Sequence, residues 1–362
     1  MEIPEKVILT PKDISPTVKG WKVESIINPG GIRLPNKKIM LYARVAEKPE
    51  LHKGKMIHCP VIVSKDEYKV ASEKIEKNKI SKKRRGVMYL KNGTCRLTTF
   101  SHFKKIILNE TGDKVESIQQ KPAFTGMPKD GNYGVEDPRI IKFKNNYLMT
   151  YVTISSREGV CTSLAISKDL INWKRKGIIF REQNKDVVLF PEKIKGKFVA
   201  LHRPMGTFHF SKPSIWISHS PDLIYWGNEH AITMPRENAW DSEKIGPGAP
   251  PIKTKKGWLV IYHGVKNTKR KETEKRVYSA GALLLNLKNP QEVLARSPIK
   301  KPLFKPEESH EKKGFVDNVV FPTTAIPTLD KKDLLIYSGE ADSLISVRKI
   351  PINMILRSME YY

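Results

Sequence analysis

The stretch YGVEDPRII, residues 133–141, places two carboxylates side by side at the point where a loop becomes an apolar strand. Glu136 and Asp137 are followed by Pro138 and Arg139. A carboxyl group held at such a point can act as a general acid or base. The alternative is an ordinary Asp-Pro turn, because proline fixes its own φ and moves the preceding residue out of the helical region. The choice depends on what the rest of the chain places nearby.

Titratable and amide side chains also recur beside the other apolar runs of the chain. One such residue carries little information, but a set that recurs at equivalent places predicts a shared site. The set consists of Asn28, Arg44, Asp137, Arg139, His202, Arg203, Lys244, His263, Asp317 and Asp342.

The elements that would position this set are repeated β-hairpins, because short polar tips between β-rich runs are hairpin signals. Hairpins are predicted over residues 30–45, 139–154, 191–204, 250–265 and 323–342, with tips at Asn36-Lys37, Asn145-Asn146, Lys195-Gly196, Lys256-Gly257 and Lys331-Lys332. Repetition at irregular spacing favours a radial arrangement, so we predict an all-β fold, a five-bladed β-propeller. The inner strands of all blades would then converge on one central channel.

Two further segments extend this pattern. Residues 161–180 and 214–232 share the pattern S-x-D-L-x-x-W between two strands, and we expect Trp173 and Trp226 to pack within the blades rather than stack on a ligand. Residues 66–79 are the best candidate for an amphipathic helix. No linker divides the chain, so we predict a single domain, residues 1–362, with a variable insert near 46–130.

The composition raises the question of nucleic acid, because 65 Lys+Arg against 38 Asp+Glu give a formal net charge of +27. The one dense basic run, SKKRR at 81–85, lacks the interleaved aromatic residues that a single-strand binder needs, so we interpret it as a solvated loop. No apolar stretch has the length of a transmembrane helix, and the N-terminus lacks a signal-peptide pattern. We therefore expect a cytoplasmic protein that binds neither membrane nor nucleic acid.

Several kinds of site are disfavoured by the motifs. Cys59, Cys95 and Cys161 are far apart and lack CxxC spacing, so we expect buried thiols rather than disulfides or a zinc site. The segment KIGPGAPP, 244–251, is not a Walker loop, and dinucleotide and HExxH motifs are absent from the sequence. We predict no nucleotide, no catalytic metal and no cofactor.

Five blocks in a fixed order carry a family resemblance over most of residues 130–345. They are GVEDPRI (134–140), NKDVVLFPEKIKGKFVALHRP (184–204), KIGPGAPPIKTKKGWLVIYHGV (244–265), YSAGALLLNLKNP (278–290) and GFVDNVVFPTTAI (314–326). In these blocks the chain resembles glycoside hydrolase family 130, the β-mannoside phosphorylases and related mannosidases. The first 45 residues match more loosely, through NPGGIRLPNKKIMLYAR. The resemblance implies a five-bladed propeller, in agreement with the hairpin pattern.

The resemblance implies that Asp137 is the general acid. A relay through a sugar hydroxyl would suit a carboxylate that lies too far from the glycosidic oxygen to reach it directly. Glu136 is interpreted as structural or substrate-positioning, and Arg139 as a residue that orients one of the carboxylates.

Phosphate is itself an anionic nucleophile, so a phosphorylase needs one acid and several cations rather than the two carboxylates of most glycosidases. The resemblance implies that Arg203, Lys244 and His263 bind phosphate. Lys185 stands where some relatives carry arginine, and Tyr278 would add a hydroxyl donor. The alternatives are ordinary: Arg203 could pair with a surface acid, and His263 could be a satisfied core histidine.

The expected sugar-binding residues offer amide, guanidinium and carboxylate groups to hydroxyls. They are Asn28, Arg44, Asp317 and Asp342, with Ser101 and His102 on the acceptor side. An interstrand turn is the alternative for Asp317-Asn318.

The resemblance therefore implies an inverting phosphorylase that cleaves β-mannosidic bonds of β-mannooligosaccharides with inorganic phosphate and releases α-mannose 1-phosphate, reversibly. A β-mannosidase of the same fold is one alternative, and a non-catalytic propeller that binds glycans or nucleic acid is another. The sequence leaves open the linkage (β-1,2 or β-1,4), the acceptor and the oligomeric state, although a homo-oligomer agrees with the resemblance. It also leaves the basic excess unexplained.

Overall fold

In a computed structural model, the chain folds almost entirely into antiparallel β-strands. The structure describes residues 4–49, 52–64, 69–84, 86–205, 210–270 and 273–362. The first eleven strands are β1 (Glu5–Leu9), β2 (Lys22–Arg33), β3 (Ile39–Lys48), β4 (His52–Lys53), β5 (Met56–Ile62), β6 (Val70–Glu76), β7 (Ile80–Arg84), β8 (Val87–Leu90), β9 (Cys95–Leu97), β10 (Phe100–Leu108) and β11 (Val115–Ile118).

The remaining strands follow in chain order and include the two longest. They are β12 (Val135–Phe143), β13 (Asn146–Ser155), β14 (Gly159–Ser167), β15 (Lys174–Phe180), β16 (Asn184–Leu189), β17 (Phe198–Pro204), β18 (Ile215–Ser220), β19 (Gly227–Thr233), β20 (Lys244–Pro247), β21 (Ile252–Lys253), β22 (Trp258–Arg270), β23 (Thr273–Leu285), β24 (Val293–Arg296), β25 (Val320–Pro327), β26 (Asp333–Glu340), β27 (Leu344–Pro351) and β28 (Glu360–Tyr361).

Helices in the described residues are short. The α-helices are α1 (Ser309–Lys312) and α2 (Ile352–Arg357), and 3-10 turns occur at Pro11–Asp13 and Lys77–Lys79. Neither α1 nor α2 has the length and apolar character that crossing a bilayer would require.

Five sheets of four or more strands make up most of the molecule. Sheet A has the order β11-β10-β3-β2, sheet B β12-β13-β14-β15 and sheet C β16-β17-β18-β19. Sheet D has the order β20-β22-β23-β24-β28 with β21 also on β22, and sheet E has the order β1-β27-β26-β25. Sheet E therefore joins a strand from the start of the chain to three strands from its end.

Four of the predicted hairpins are confirmed by the pairs β2–β3, β12–β13, β21–β22 and β25–β26, which span the predicted segments. The hairpin predicted over 191–204 is right only for its second strand, β17, because the strand that pairs with β17 is β16, Asn184–Leu189, which precedes the predicted segment. Tip residues adopt the left-handed conformation that such turns need, with φ of 69° at Lys37, 49° at Lys195 and 58° at Lys331. Polar tips thus predicted the pairing partners in the four confirmed hairpins.

Apolar side chains pack between sheets rather than within one sheet. Five large buried clusters each combine residues of two sheets: A with B, B with C, C with D, D with E, and E with A. Trp173 packs at the A–B contact and donates from Nε1 to the Tyr42 hydroxyl at 3.0 Å. Trp226 packs at the B–C contact. The prediction that both tryptophans pack between strands is confirmed.

The segment between β3 and β10 forms an addition to sheet A, because β3 and β10 pair directly with each other. Within the described residues it contains two three-stranded sheets, β4-β5-β6 and β7-β8-β9. The predicted helix over 66–79 is wrong: residues 66–68 lie outside the described residues, and Val70–Glu76 form β6, which pairs with β5. Residues 81–84 of the basic run have exposed side chains but form part of β7, so the predicted loop is also wrong there.

The cysteine prediction holds in part. Cys59 and Cys161 are buried thiols, but Cys95 is exposed at the start of β9, so the expectation of three buried thiols is wrong for Cys95.

A buried ion-pair cluster ties sheet E to its neighbouring loop. Arg348 donates to Glu340 Oε1 at 2.9 Å and to Glu5 Oε2 at 2.8 Å, and it also pairs with Glu311. Burial raises the pKa of Glu340 to about 8 although Arg348 opposes the shift. Glu5, Glu311 and His310 have the composition of a metal site, with ligand atoms within 4.8 Å of one another. The Arg348 guanidinium already neutralises two of the three.

We predict that Arg348→Met lowers the free energy of unfolding by about 3–5 kcal/mol, because it leaves buried carboxylates without a counter-charge. Urea denaturation followed by tryptophan fluorescence measures the loss. The matched control is Lys349→Met, the next residue, whose pair with Asp333 is exposed and should cost about 1 kcal/mol or less. Equal losses in the two variants would contradict the prediction.

Candidate active site

Bulges in β2 of sheet A, β12 of sheet B and β16 of sheet C each turn one polar side chain out of the regular pleat. The register shifts between Ile27 and Gly30 in β2, between Glu136 and Arg139 in β12, and between Lys185 and Val188 in β16. The bulged residues Asn28, Asp137 and Asp186 have φ of 46°, 51° and 60°. Asn and Asp tolerate this conformation, and bulges commonly re-aim side chains at functional sites. Asp137 is therefore in a bulge within a strand rather than in an Asp-Pro turn.

Arg44 on β3 holds both carboxylates of the EDPR motif. Its Nη1 lies 3.0 Å from Asp137 Oδ1, and its Nη2 lies 2.5 Å from Glu136 Oε1. Its Nε donates to Ser101 Oγ at 3.1 Å. All three guanidinium nitrogens of Arg44 thus donate to fixed acceptors from sheets A and B.

Two more donors complete this carboxylate cluster. Asn28 Nδ2 donates to Asp137 Oδ1 at 2.9 Å, and Lys185 Nζ donates to Glu136 Oε2 at 3.3 Å. Lys185 comes from sheet C, so the two carboxylates of sheet B collect donors from two other sheets, A and C. The described contact of Lys185 is with Glu136, although phosphate binding was the expectation for this residue.

The pKa values of the Asp137 and Asp342 carboxyl groups are shifted in opposite directions. Burial would raise the pKa of Asp137, but Arg44, Arg139 and Lys185 outweigh burial and hold it below its ordinary value. Burial raises the pKa of Asp342 to about 6; Arg44 opposes the shift, and Asp137 and Glu136 add to it. Asp342, at the β26–β27 turn, is therefore within electrostatic reach of the same cluster.

Arg139 is buried and supports the backbone around Asp137. Its Nε donates to the Gly248 carbonyl oxygen at 2.6 Å, and its Nη1 donates to the Asp137 carbonyl oxygen at 3.0 Å. Its Nη2 is buried without a hydrogen-bond partner among the described residues. Arg139 thus holds the bulge that presents the Asp137 carboxylate.

A second, cationic cluster lies on sheets C and D. Arg203 is 4% exposed and donates from Nε to Asp186 Oδ2 at 2.6 Å. His263 Nε2 lies 3.7 Å from the same oxygen. Lys244 Nζ lies 3.2 Å from the Tyr278 hydroxyl. This arrangement brings together four of the five residues that the sequence assigned to phosphate.

Several donors of this cluster are unused. Arg203 Nη1 and both ring nitrogens of His263 are buried without hydrogen-bond partners among the described residues. His202, which is equally buried, differs because Asn184 lies 2.8 Å from its Nδ1 and Ser218 lies 2.7 Å from its Nε2. Buried polar groups are nearly always paired with protein or ordered water, so these atoms of Arg203 and His263 can bind a ligand without losing a contact in the protein. His263 is therefore not a satisfied core histidine, whereas His202 is.

The pKa values in the cationic cluster respond mainly to burial. Burial, and to a lesser extent the positive charge of Arg203, lower the pKa of Lys244 to about 7. Burial lowers the pKa of His263 to about 3, so its ring is neutral at pH 7. Burial would raise the pKa of Asp186, but the positive charges of Arg203 and Arg139 hold it well below its usual range. An incoming anion would restore the charge of Lys244.

The other predicted site residues are more peripheral. His102 follows Ser101 but has its described contacts with Thr17, 3.3 Å from Nε2, and Glu47, 3.4 Å from Nε2. Asp317 accepts from the Gly314 amide at 3.3 Å and lies 3.4 Å from Lys313 Nζ. Its neighbour Asn318 accepts from the Tyr278 amide at 2.9 Å, so this loop borders the cationic cluster. The predicted roles of His102 and Asp317 in sugar binding stay predictions.

Comparison with known proteins places this arrangement in a family. The model of glycoside hydrolase family 130, described as beta-1,4-mannooligosaccharide phosphorylase, matches residues 68–361. The chain belongs to glycoside hydrolase family 130. The resemblance carried by the five sequence blocks is thus confirmed, and the chain is an enzyme of the mannoside phosphorylase family.

Individual relatives support this membership over the full length. Beta-1,2-mannobiose phosphorylase of Listeria innocua serovar 6a is 33% identical over 360 residues, which is 98% of this chain and 97% of that protein. A 1,2-beta-oligomannan phosphorylase of Thermoanaerobacter sp. is 41% identical over 229 residues, 63% of this chain and 71% of that protein. The solved structure of Listeria innocua beta-1,2-mannobiose phosphorylase with beta-1,2-mannobiose has a TM-score of 0.84 and 32% identity, and covers 97% of this chain and 96% of that one.

Sequence reasoning missed two residues of the cationic cluster. Asp186, next to Lys185 in the NKD motif, orients Arg203 and supplies the counter-charge. Gly246 lies beside the cluster, where a Cβ atom would be 2.5 Å from His263 Cε1 and 2.6 Å from Asp186 Oδ2. The sequence offered two signals for these residues, the acid next to Lys185 in NKD and the glycine in KIGPG. Neither signal shows which side chain the residue contacts.

We predict that Gly246→Ala weakens binding of sulfate, a stable oxyanion, by about tenfold or more, because the methyl group must displace His263 or Asp186. Isothermal titration calorimetry measures the dissociation constant. Gly227→Ala is the matched control, since nothing lies within 4 Å of a Cβ atom there. Unchanged sulfate affinity in a folded Gly246→Ala protein would contradict the proposed position of the anion.

Proposed function

We propose that this protein is an inverting phosphorylase that cleaves the β-1,2-mannosidic bond of short mannooligosaccharides with inorganic phosphate. The bond between the anomeric carbon and the glycosidic oxygen breaks, and a phosphate oxygen forms a bond to the same carbon. The products are α-mannose 1-phosphate and an acceptor shortened by one mannose. The reaction is reversible.

One observation carries this proposal: unused buried donors of Arg203 and His263 lie beside Lys244, in the same site as the Asp137 carboxylate. Donors that are buried and unpaired are costly unless a ligand satisfies them. A phosphate dianion has the oxygens and the charge for all three side chains. Phosphorolysis needs this combination of one acid and several cations.

Hydrolysis would instead need a carboxylate that activates water. Asp186 is the carboxylate in the cationic cluster, but Arg203 binds it at 2.6 Å and its pKa is held well below its usual range. Its Oδ2 already accepts from Arg203 and so is poorly placed to accept a proton from water. This argument favours phosphate over water as the nucleophile.

We assign the proton transfer to Asp137. Its ionised form suits the synthetic direction, in which a carboxylate takes the proton of the acceptor hydroxyl. In phosphorolysis the same carboxyl must first be protonated and then gives its proton to the leaving oxygen, with the sugar-hydroxyl relay that the family resemblance implies. We assign Asn28, Arg44, Asp317 and Asp342 to the mannose, and Ser101 and His102 to the acceptor side.

The β-1,2 linkage is the part of the proposal that rests on relatives. The Listeria protein whose length this chain matches acts on beta-1,2-mannobiose by its name, and its solved structure contains that disaccharide. The family model carries a β-1,4 description. We choose the linkage of the full-length relative, because that likeness includes the segment between β3 and β10.

We further infer that sheets A to E are the blades of a five-bladed propeller forming one domain. Its variable insert is the segment between β3 and β10, which lies within the predicted 46–130, whereas β10 and β11 belong to sheet A. Each sheet shares an apolar cluster with the next, from A–B through to E–A, and this closed order supports a ring of sheets. Pairing of β1 with β27 supports closure of the last blade by the start of the chain. A cytoplasmic location, homo-oligomer formation, and the absence of any cofactor other than the co-substrate phosphate stay part of the proposal.

The direct test incubates the protein with β-1,2- and β-1,4-mannobiose, with and without phosphate, and assays mannose 1-phosphate and free mannose. We expect mannose 1-phosphate from the β-1,2 substrate only when phosphate is present. Asp137→Asn should lower the rate by roughly 10²- to 10⁴-fold, because it removes the transferable proton. Asp330→Asn, at an exposed hairpin turn, is the matched control and should keep wild-type activity.

Two outcomes would overturn this proposal. Free mannose without phosphate would replace it by the β-mannosidase, and full activity in Asp137→Asn would remove the acid assignment. Mannose 1-phosphate from the β-1,4 substrate alone would support the proposed phosphorolysis but contradict the proposed β-1,2 linkage.

The charge state of Lys244 predicts how the affinity for sulfate depends on pH. Its pKa of about 7 in the unliganded protein means that it loses its charge as the pH rises above 7. Sulfate does not titrate in this range, so its affinity should fall by up to about tenfold per pH unit above pH 7. Lys244→Arg should flatten this dependence between pH 7 and 9, because arginine keeps its charge. A wild-type affinity that does not change over this range would contradict the prediction.

A further inference from the structure

Strands β22 and β23 continue as a two-stranded ribbon beyond the rest of sheet D. Pairing of β20 with β22 begins at Lys244 and Val265, whereas β22 and β23 continue to pair with each other as far as Arg270 and Thr273. Beyond Val265 and Tyr278, no other described strand pairs with either of them. We name this part, residues 266–270 and 273–277, the β22–β23 ribbon. It begins where the cationic cluster ends.

Strand alternation puts Arg276 on the same face of the ribbon as the cationic cluster. Directly paired residues share a face, so Lys244, Val265 and Tyr278 form one row across β20, β22 and β23. Arg276 precedes Tyr278 by two positions and therefore points to the same side. Lys275 points to the opposite side. The Lys244 amine and Tyr278 hydroxyl, 3.2 Å apart, mark that row as part of the anion site.

Arg276 carries a positive charge that no described side chain neutralises. Its side chain is exposed, and none of the described residues forms an ion pair or a side-chain hydrogen bond with it. Its charge reaches the cluster, since it helps burial and Arg203 to lower the pKa of Lys244. It also opposes the effect of burial, which raises the pKa of the Tyr278 hydroxyl. The inner cations Arg203 and Lys244 are by contrast buried or half-buried.

We propose that Arg276 is an outer phosphate-recognition residue, which draws inorganic phosphate and the phosphate group of the sugar phosphate into the site from the ribbon. This inference rests on the proposed function. A guanidinium keeps its charge at every physiological pH, whereas Lys244 is half-neutral near pH 7 until an anion arrives. Exposed charges at the mouth of a site raise the local concentration of an oppositely charged ligand and its rate of entry.

The test compares Arg276→Gln with Lys275→Gln, which removes the same charge from the opposite face of the ribbon. We expect Arg276→Gln to raise KM for phosphate by about three- to tenfold and to raise KM for mannose 1-phosphate in parallel. Its KM for the mannoside and its kcat should stay within about twofold, because an exposed outer residue contributes little to the reacting geometry. Lys275→Gln should match the wild type. Salt should weaken phosphate binding less in Arg276→Gln than in the wild type.

A binding measurement separates this inference from the proposed reaction. Sulfate titrated into the same variants should bind about three- to tenfold more weakly to Arg276→Gln than to Lys275→Gln, whatever the substrate of the enzyme is. Equal sulfate affinities, or a change confined to KM for the mannoside, would overturn the role of Arg276. A sulfate difference without phosphate-dependent cleavage would keep Arg276 as an anion-recognition residue and overturn only the proposed reaction.

Discussion

The fork of Arg44 onto Glu136 and Asp137 is the interaction on which the geometry of the site depends. Both carboxylates lie at the bulge of β12, and burial there disfavours the charge of Asp137. Arg44 compensates for that burial from sheet A, and Lys185 does so from sheet C. Burial also opposes the charge on Arg44, but the two carboxylates outweigh it and hold the pKa of Arg44 above its ordinary value. The Asp137 carboxylate is therefore fixed by contacts between sheets, and the packing of the apolar clusters sets its position.

In the cationic cluster, positive rather than negative charges are buried close together. Cations held close together without an anion repel one another, and Asp186 relieves this by pairing with Arg203 from within the cluster. One carboxylate cannot satisfy every donor, so Arg203 Nη1 and the His263 ring remain open. Lys244 relieves the remaining repulsion differently, by giving up its proton near neutral pH. The cluster thus balances part of its own charge through Asp186 and Lys244 while keeping donors that an anion can use.

The hairpins and the order of their strands could be predicted, because polar tips and β-rich runs are local signals. The residues of the carboxylate and cationic clusters could be named from the family resemblance, but their partners could not. Asp186 and Arg203 are far apart in the sequence, and only the pairing of β16 with β17 brings them together. The helix predicted over 66–79 failed for a related reason. Lysine and glutamate in β6 favour a helix locally, but pairing with β5 and burial of Ile75 against Ile57 and Cys59 override that preference.

The segment between β3 and β10 shows how this fold can vary beside a fixed site. Its described strands add no residue to the carboxylate or cationic cluster, because Arg44 and Ser101 lie on the flanking strands β3 and β10 themselves. A cavity of about 570 Å³ separates it from sheet E, with Arg84, Gly86 and Met88 on one side and Phe315 and Ser343 on the other. Phe315 and Ser343 neighbour the loops of Asp317 and Asp342. Changes in this segment can therefore reshape the approach to the site while the ion pairs that fix Asp137 stay as they are.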